Sequence, residues 1–481
     1  MLRRWLCVCA LGVCFSACQE GKREVKEIDR LPEIFPDYKA VTVPVNIAPL
    51  NFMLDGAESI EVQFSKSGTI LLTCRGKQGI DISLKKWRRL MAEAQGDTLE
   101  VKVFSKKQGR WEGYKAFPLM VAADSIDPYL AYRLIDPGYE LGTRLCLVQR
   151  DLSSFQEKAF VPASLVEGSC VNCHSFCNYS PDHFMFHVRW KDPGTIIVKD
   201  GKAKRVNTKA GLERPGSYRM WHPSGRYIAF SCNDTYQAFH AFADEKIKVY
   251  DLAGDLMIYD VEHNRVLADP RFNVRDQWMA YPAWSPDGKY LYFCKAEPVK
   301  LPQEYRKLRY GIYRVDFDAE TGLLGDSIVP VIDPAETGTT AVYPAVSPDG
   351  RYLMYTEADC GVFLIHHEDA DLRIWDLQTN SLVDADVLNS ERAESYHGWA
   401  SSGRWVVFSS RRLDHAYTHC YFAYFDRNGQ MHKPFVMPQK DPEFYKMYLR
   451  SFNVPEFIGG EVTVSPYRLE EVMKGKIEDA L

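Results

Sequence analysis

The chain has no excess of positive charge: 59 Lys and Arg stand against 64 Asp and Glu, a formal net charge of -5. That balance argues against nucleic acid as a partner, because no basic face is evident to neutralise phosphates. The longest basic cluster, Lys85-Lys86-Trp87-Arg88-Arg89, is short and reads as one solvated face of a helix. No G-x-S-x-G elbow, H-E-x-x-H helix or phosphate-binding Gly loop occurs, so the common sequence signatures of serine hydrolases, zinc peptidases and nucleotide-binding enzymes are missing. No hydrolase domain is expected in the stretch that follows Ser401. What is present is ordinary for a soluble protein, 46% apolar and 26% charged, but rich in aromatics, with 27 Tyr among 481 residues. Such a length buries a large core and suggests two or three domains unless a repeat uses it differently.

The N-terminus is read as an address. Arg3 and Arg4 form a positive start, and Trp5 to Ala17 is an apolar run shorter than the roughly 20 residues that span a bilayer. It ends Phe15-Ser16-Ala17-Cys18, which resembles the lipobox of bacterial lipoproteins, apart from Phe15 at a position usually aliphatic. The resemblance implies a signal peptide over 1–17, lipidation of Cys18 and a polar tether over 18–40. A plain secretory signal is the alternative, and both readings export the protein. The expected location is the bacterial cell envelope, lipid-anchored, on the periplasmic side or the outer-membrane surface.

From 41 to 127 short runs rich in Val, Ile, Leu and aromatics read as strands: Val41 to Phe52, Ser59 to Ser65, Thr69 to Cys74, Thr98 to Phe104 and Tyr114 to Ala122. Leu84, Trp87, Leu90, Met91 and Ala94 recur at helical spacing. A small immunoglobulin-like β-sandwich is expected here, with nothing catalytic in it.

The remaining chain repeats. Tyr281-Pro282-Ala283-Trp284-Ser285-Pro286-Asp287-Gly288 and Tyr343-Pro344-Ala345-Val346-Ser347-Pro348-Asp349-Gly350 are nearly identical. Tyr218 to Gly225 and Tyr396 to Gly403 are looser copies, and Phe176 to His183 a fifth, with His183 in place of the Gly. Pro presets φ, Gly accepts a positive φ, and alternating apolar residues on either side make a hairpin. The spacing is that of four-stranded propeller blades. These motifs resemble the TolB-type propeller repeat over roughly 130–460, implying an all-β fold with a propeller over 128–465 and a tail over 466–481. Six blades are expected, the sixth closed by strands from Tyr129 to Phe160 joining the segment Phe452 to Phe457, since an open ring leaves exposed edges.

The chemical signal is Cys170-Val171-Asn172-Cys173-His174, a C-x-x-C-H spacing. Two thiols so placed add to the two vinyl groups of one haem while the adjacent imidazole reaches its iron. A disulfide or redox dithiol between Cys170 and Cys173, or a metal site with Cys177 and a nearby His, are the alternatives. Nine cysteines follow Cys18: Cys74, Cys146, Cys170, Cys173, Cys177, Cys232, Cys294, Cys360 and Cys420. With two on haem, seven remain, so disulfides do not pair them all. Cys232 and Cys294 read as small apolar residues on equivalent strands, Cys177 as a free buried thiol.

The motif resembles that of c-type cytochromes, which implies one covalent haem c held by Cys170 and Cys173, with His174 as the proximal iron ligand. No helical haem fold surrounds it. Residues just before each turn are expected on the innermost strand, facing the channel or its mouth. That makes His397, read as equivalent to Cys177, and Met220 or His222 of the neighbouring blade candidates for a distal ligand. His366-His367-Glu368-Asp369-Ala370-Asp371 reads as a polar loop before it reads as a cation site, and Arg411-Arg412 with Asp414 and His415 as loop electrostatics. The expected function is a haem-bearing envelope lipoprotein in electron transfer, or the redox subunit of an envelope complex, with protein partners and no hydrolase chemistry. The competing expectation is a haem-free scaffold for proteins or envelope components. A five-coordinate haem reacting with a small ligand is a third, for which no distal acid/base set is apparent.

Overall fold

The computed structural model describes residues 24–136, 145–166, 169–209, 214–239, 247–274 and 277–481, so the signal segment and Cys18 lie outside the described residues. No helix among them is long and apolar enough to cross a membrane.

Each repeat motif makes the hairpin its residues dictate. In the third blade Gly288 takes φ 73°, its amide donates to the Ser285 carbonyl at 2.9 Å, and the Ser285 hydroxyl donates to Asp287 Oδ1 at 2.6 Å. That turn joins Trp278–Trp284 to Tyr290–Ala296, and Gly311–Asp318 and Leu323–Ile332 complete the sheet. Four more blades repeat the plan, with innermost strands Ser169–Phe176, Arg219–Trp221, Thr340–Val346 and Glu394–Trp399. In the sixth, Ser451–Ile458 from the C-terminal end is the innermost strand, and Tyr129–Ile135, Cys146–Asp151 and Glu157–Val161 lie outside it. The chain is thus a six-bladed β-propeller whose closure joins its two ends by a strand pair, as expected from the need to cover edges. The last strand, Glu478–Asp479, adds in parallel to the outer edge of the first blade.

A tryptophan in three of the repeats fastens neighbouring blades. Trp221 Nε1 donates to the Ser175 carbonyl at 3.3 Å, Trp284 Nε1 to Met220 at 3.1 Å and Trp399 Nε1 to Ala345 at 3.0 Å. Each time a buried indole satisfies its only donor on the same position of the previous blade's innermost strand. Cys232 and Cys294 are buried on equivalent second strands, as read from the sequence.

The first blade differs from the expectation at its turn. His183 does not stand for the Gly: its carbonyl closes the hairpin on the Cys177 amide, as Tyr290 does on Ser285, so the loop is one residue longer. Asn178 (φ 47°) and Tyr179 (φ 61°) supply the left-handed conformations instead.

The N-terminal region is a seven-stranded sheet containing Ser59–Lys66, Thr69–Gly76, Asp97–Lys107 and Arg110–Tyr114, beside a two-stranded ribbon of Ile34–Phe35 and Met53–Leu54. The helix Leu84–Ala94 forms as spaced, capped by Ser83, and buries Trp87, Leu90, Met91 and Ala94. This is one large sheet with a helix against it, so the immunoglobulin-like expectation is not carried further. Val41 to Phe52 is a strand only at Thr42–Val43, because Pro44 and Pro49 cannot donate to a ladder. The sheet shares a continuous apolar core with the fifth and sixth blades. Asp124 ties it there, accepting from Tyr424 Oη at 2.7 Å and Arg427 at 2.9 Å.

Candidate functional site

Five of the six innermost strands carry a bulge at the same register, and the residue that makes it has a left-handed backbone: Cys173 (φ 53°), Tyr281 (φ 50°), Tyr343 (φ 58°), Tyr396 (φ 45°) and Val454 (φ 50°). Tyr218 holds the position in the second blade, where Ser217 and Tyr218 bond to Ser231. A non-glycine residue in this region is disfavoured, and its recurrence indicates that the surrounding sheet enforces it. The consequence is a ring of side chains around the channel mouth. Four are tyrosines whose ring centroids are 4.3 Å (Tyr218 to Tyr281), 4.3 Å (Tyr281 to Tyr343) and 4.9 Å (Tyr343 to Tyr396) apart. The second cysteine of C-x-x-C-H occupies the same place in the first blade.

The ring opens into a cavity of about 800 Å³, lined by both Cys170 and Cys173 as well as Met220, His397 and Glu456. Both thiols are free. Burial pushes the Cys170 thiol up, against the pull of Arg133 and Arg189. The strand bulge between Asn172 and Ser175 is what lets two cysteines three apart reach one cavity, since Asn172 Oδ1 caps the Cys173 amide at 2.9 Å.

His174 lies behind this wall, fully buried. Its Nε2 has no hydrogen-bond partner among the described residues and sits 3.8 Å from Glu456 Oε2. Burial, then the charges of Arg219 and Arg133, hold the imidazole well below its usual range, so it is neutral. Glu456 accepts from the Phe176 amide at 2.8 Å. A quarter of its side chain is exposed where it lines the cavity, and burial of the rest pushes its carboxyl up to about 7.

The three distal candidates separate. His397 lines the cavity, and its register is that of His174, not of Cys177 as the turn alignment suggested: both follow the left-handed bulge residue. The Met354 and Tyr343 carbonyls lie beside its ring without giving Nε2 a hydrogen bond, and burial lowers the imidazole to about 4. Met220 also lines the cavity. His222 has the Cys177 register and is off the wall; its Nδ1 meets Ser224 Oγ at 2.8 Å and its Nε2 the Gly288 carbonyl at 3.0 Å. Cys177 is buried and free, its thiol pushed up to about 11 by burial.

Two free thiols on one cavity wall, and directly behind it a neutral imidazole with an unpartnered nitrogen, are the donor types a covalent haem takes, so these residues fit that group. Among the described residues no cluster of three or more His, Cys, Asp or Glu is disposed to hold a bare metal ion, the segment 366–371 included. Arg412 of the fifth blade pairs with the buried Glu394 at 2.9 Å, a structural contact.

Sequence reading had not singled out the tyrosine arc, Glu456, Arg133 or Arg219. The tyrosines lead four of the repeats, and that regularity was the available signal. Glu456 has a weaker one: Pro455 precedes it as Pro282 precedes Ala283 and Pro344 precedes Ala345.

No protein-family model and no curated protein matches the chain. Solved structures resemble it distantly. The nidogen/laminin complex is 8% identical with a TM-score of 0.40, over 64% of this chain and 93% of that one. A puromycin-hydrolysing peptidase of Mycobacterium tuberculosis is 12% identical (TM-score 0.37), over 86% and 57%. Prolyl oligopeptidase B of Galerina marginata is 10% identical (TM-score 0.37), over 70% and 43%. The chain spans less than two thirds of both peptidases, and likeness this remote carries none of their activities to it. The six-bladed assignment rests on the strand order itself.

Proposed function

We propose that this chain is an exported, lipid-anchored propeller of the cell envelope that carries one covalent c-type haem at its channel mouth and passes electrons to or from partner proteins. Cys170 and Cys173 would hold the group and His174 would ligate its iron, with His397 the favoured second ligand and Met220 behind it. The observation that carries the reading is that both thiols line one cavity while the adjacent imidazole keeps an unpartnered Nε2. The group, when bound, supplies a one-electron couple. The chain's own part is to present both thiols to the cavity, to keep His174 neutral by burial, and to line the mouth with the tyrosine arc. The lipid anchor at Cys18 and the TolB-type character rest on sequence resemblance alone.

A haem-free binding scaffold is the second reading, favoured by the extended strand that bears the motif where a helix is usual in c-type cytochromes. Denatured intact mass of protein from its native host decides between them. One haem of added mass that is lost in Cys170→Ala/Cys173→Ala is expected; apo mass for the unsubstituted protein would leave the scaffold.

A further inference from the structure

The cavity has two walls of opposite kind. One is the arc of Tyr218, Tyr281, Tyr343 and Tyr396, whose rings are tilted by 41° to 60° to one another at centroid distances of 4.3 to 4.9 Å. The other carries Arg133 and Arg219. Arg133 is positioned by neutral amide oxygens, those of Asn172 and of Asn453, the latter at 2.7 Å. The Nε atoms of both arginines are buried and have no hydrogen-bond partner among the described residues. Of the carboxyls on the wall, Asp136 is engaged by Arg450 at 2.7 Å, and Glu456 already accepts from the Phe176 amide. Arg219 has the Glu456 carboxyl as an electrostatic neighbour, whereas Arg133 is held by amide oxygens alone, and two guanidinium groups with one carboxyl between them favour an anion that enters from outside. An aromatic arc beside them favours a flat body on that anion.

We propose that the channel mouth binds a flat conjugated ring bearing carboxylates, the ring against the tyrosine arc and the carboxylates against Arg133 and Arg219. Two sources share this chemistry. One is the propionate edge of a haem attached at Cys170 and Cys173, in which case the inference rests on the haem reading. The other is a free aromatic acid, which needs no haem.

The test uses the full chain with Cys170→Ala/Cys173→Ala, which cannot attach haem covalently, titrated with mesoporphyrin IX, its dimethyl ester and 2-naphthoate, with binding read as quenching of intrinsic fluorescence. Saturable binding is expected, with the porphyrin diacid at least about tenfold tighter than its ester, the worth of one charge-assisted hydrogen bond. Arg219→Gln is expected to weaken the diacid about tenfold and leave the ester unchanged, while Tyr281→Leu weakens both. Porphyrin binding that excludes naphthoate assigns the site to a haem edge; naphthoate binding without porphyrin assigns it to a free aromatic acid. Equal affinity for acid and ester, or no saturable binding of either acid, overturns the proposal. Because the acid and ester comparison needs no arginine variant, it stands even if Arg133→Gln or Arg219→Gln fails to fold. Covalent attachment is read separately by mass, so either idea can fail without the other.

Discussion

Cys173 stands in the first blade where Tyr281 stands in the third: each is the left-handed residue of the innermost-strand bulge, with φ of 53° and 50°. One backbone device, repeated around the ring, aims tyrosines at the channel in three blades and a thiol in a fourth, and Tyr218 holds the same position in the second blade. The motif chemistry and the repeat architecture thus meet at a single register position.

Tyr281 is the keystone of the arc, with a neighbouring ring at 4.3 Å on each side. Tyr281→Ala is expected to lower stability by about 3–5 kcal/mol, as for other large aromatic truncations in a core. Tyr281→Phe, which removes only the hydroxyl contacts to the Val362 carbonyl at 3.3 Å and the Tyr343 hydroxyl at 3.5 Å, should cost about 1 kcal/mol. Urea unfolding of the two variants checks the contrast; similar losses would mean the arc is not packed as described.

Asp251, buried behind that arc, accepts from Tyr310 Oη at 3.0 Å and Asn233 Nδ2 at 3.2 Å. Burial pushes its carboxyl up to about 7 from an ordinary 3.8. Between those values the folded chain keeps a proton that the unfolded chain has released, so stability from this group falls as pH rises from about 4 through about 7. Asp251→Asn is expected to flatten that slope. It should match the parent near pH 4 and exceed it by on the order of 4 kcal/mol at pH 8. Thermal melts across that range provide the measurement, and an unchanged slope contradicts the assignment.

The closing strand Ser451–Ile458 is bonded to Tyr129–Ile135 along most of its length. Truncation after Arg450 removes the innermost strand of the sixth blade, exposes unpaired edges and is expected to give aggregated protein. Truncation after Gly460 keeps the closing strand and removes the helix Pro466–Lys474, the strand Glu478–Asp479 added to the first blade, and Val462 with its two bonds to the Gln149 side chain. That product should remain soluble with a lowered melting temperature. Equal solubility of the two would show that closure is not what holds the ring.

Much of this was legible because short-range chemistry dictates it. The Ser-Pro-Asp-Gly turns named the blades, the spacing of Trp87, Leu90, Met91 and Ala94 named the helix, and edge protection named the closing pair. The bulges were not legible, since a left-handed Tyr281 or Val454 has no sequence signature and is imposed by the sheet. His397 was misaligned for a related reason. In the first blade Pro181 comes four residues after Cys177, whereas Pro286 follows Ser285 directly, so alignment on prolines slid the strand by three positions and hid the match between His397 and His174. The Arg133 and Glu456 walls come from the blade built from both chain ends, where the repeat has decayed to Pro455 alone.

The measurement closest to the central claim is a pyridine haemochrome spectrum on denatured protein purified from its native host. A c-type band that persists through denaturation, and disappears in Cys170→Ala/Cys173→Ala while the variant still folds, is the result expected if the channel mouth holds a covalent haem. A colourless protein whose Cys170 and Cys173 carry no added mass would contradict it.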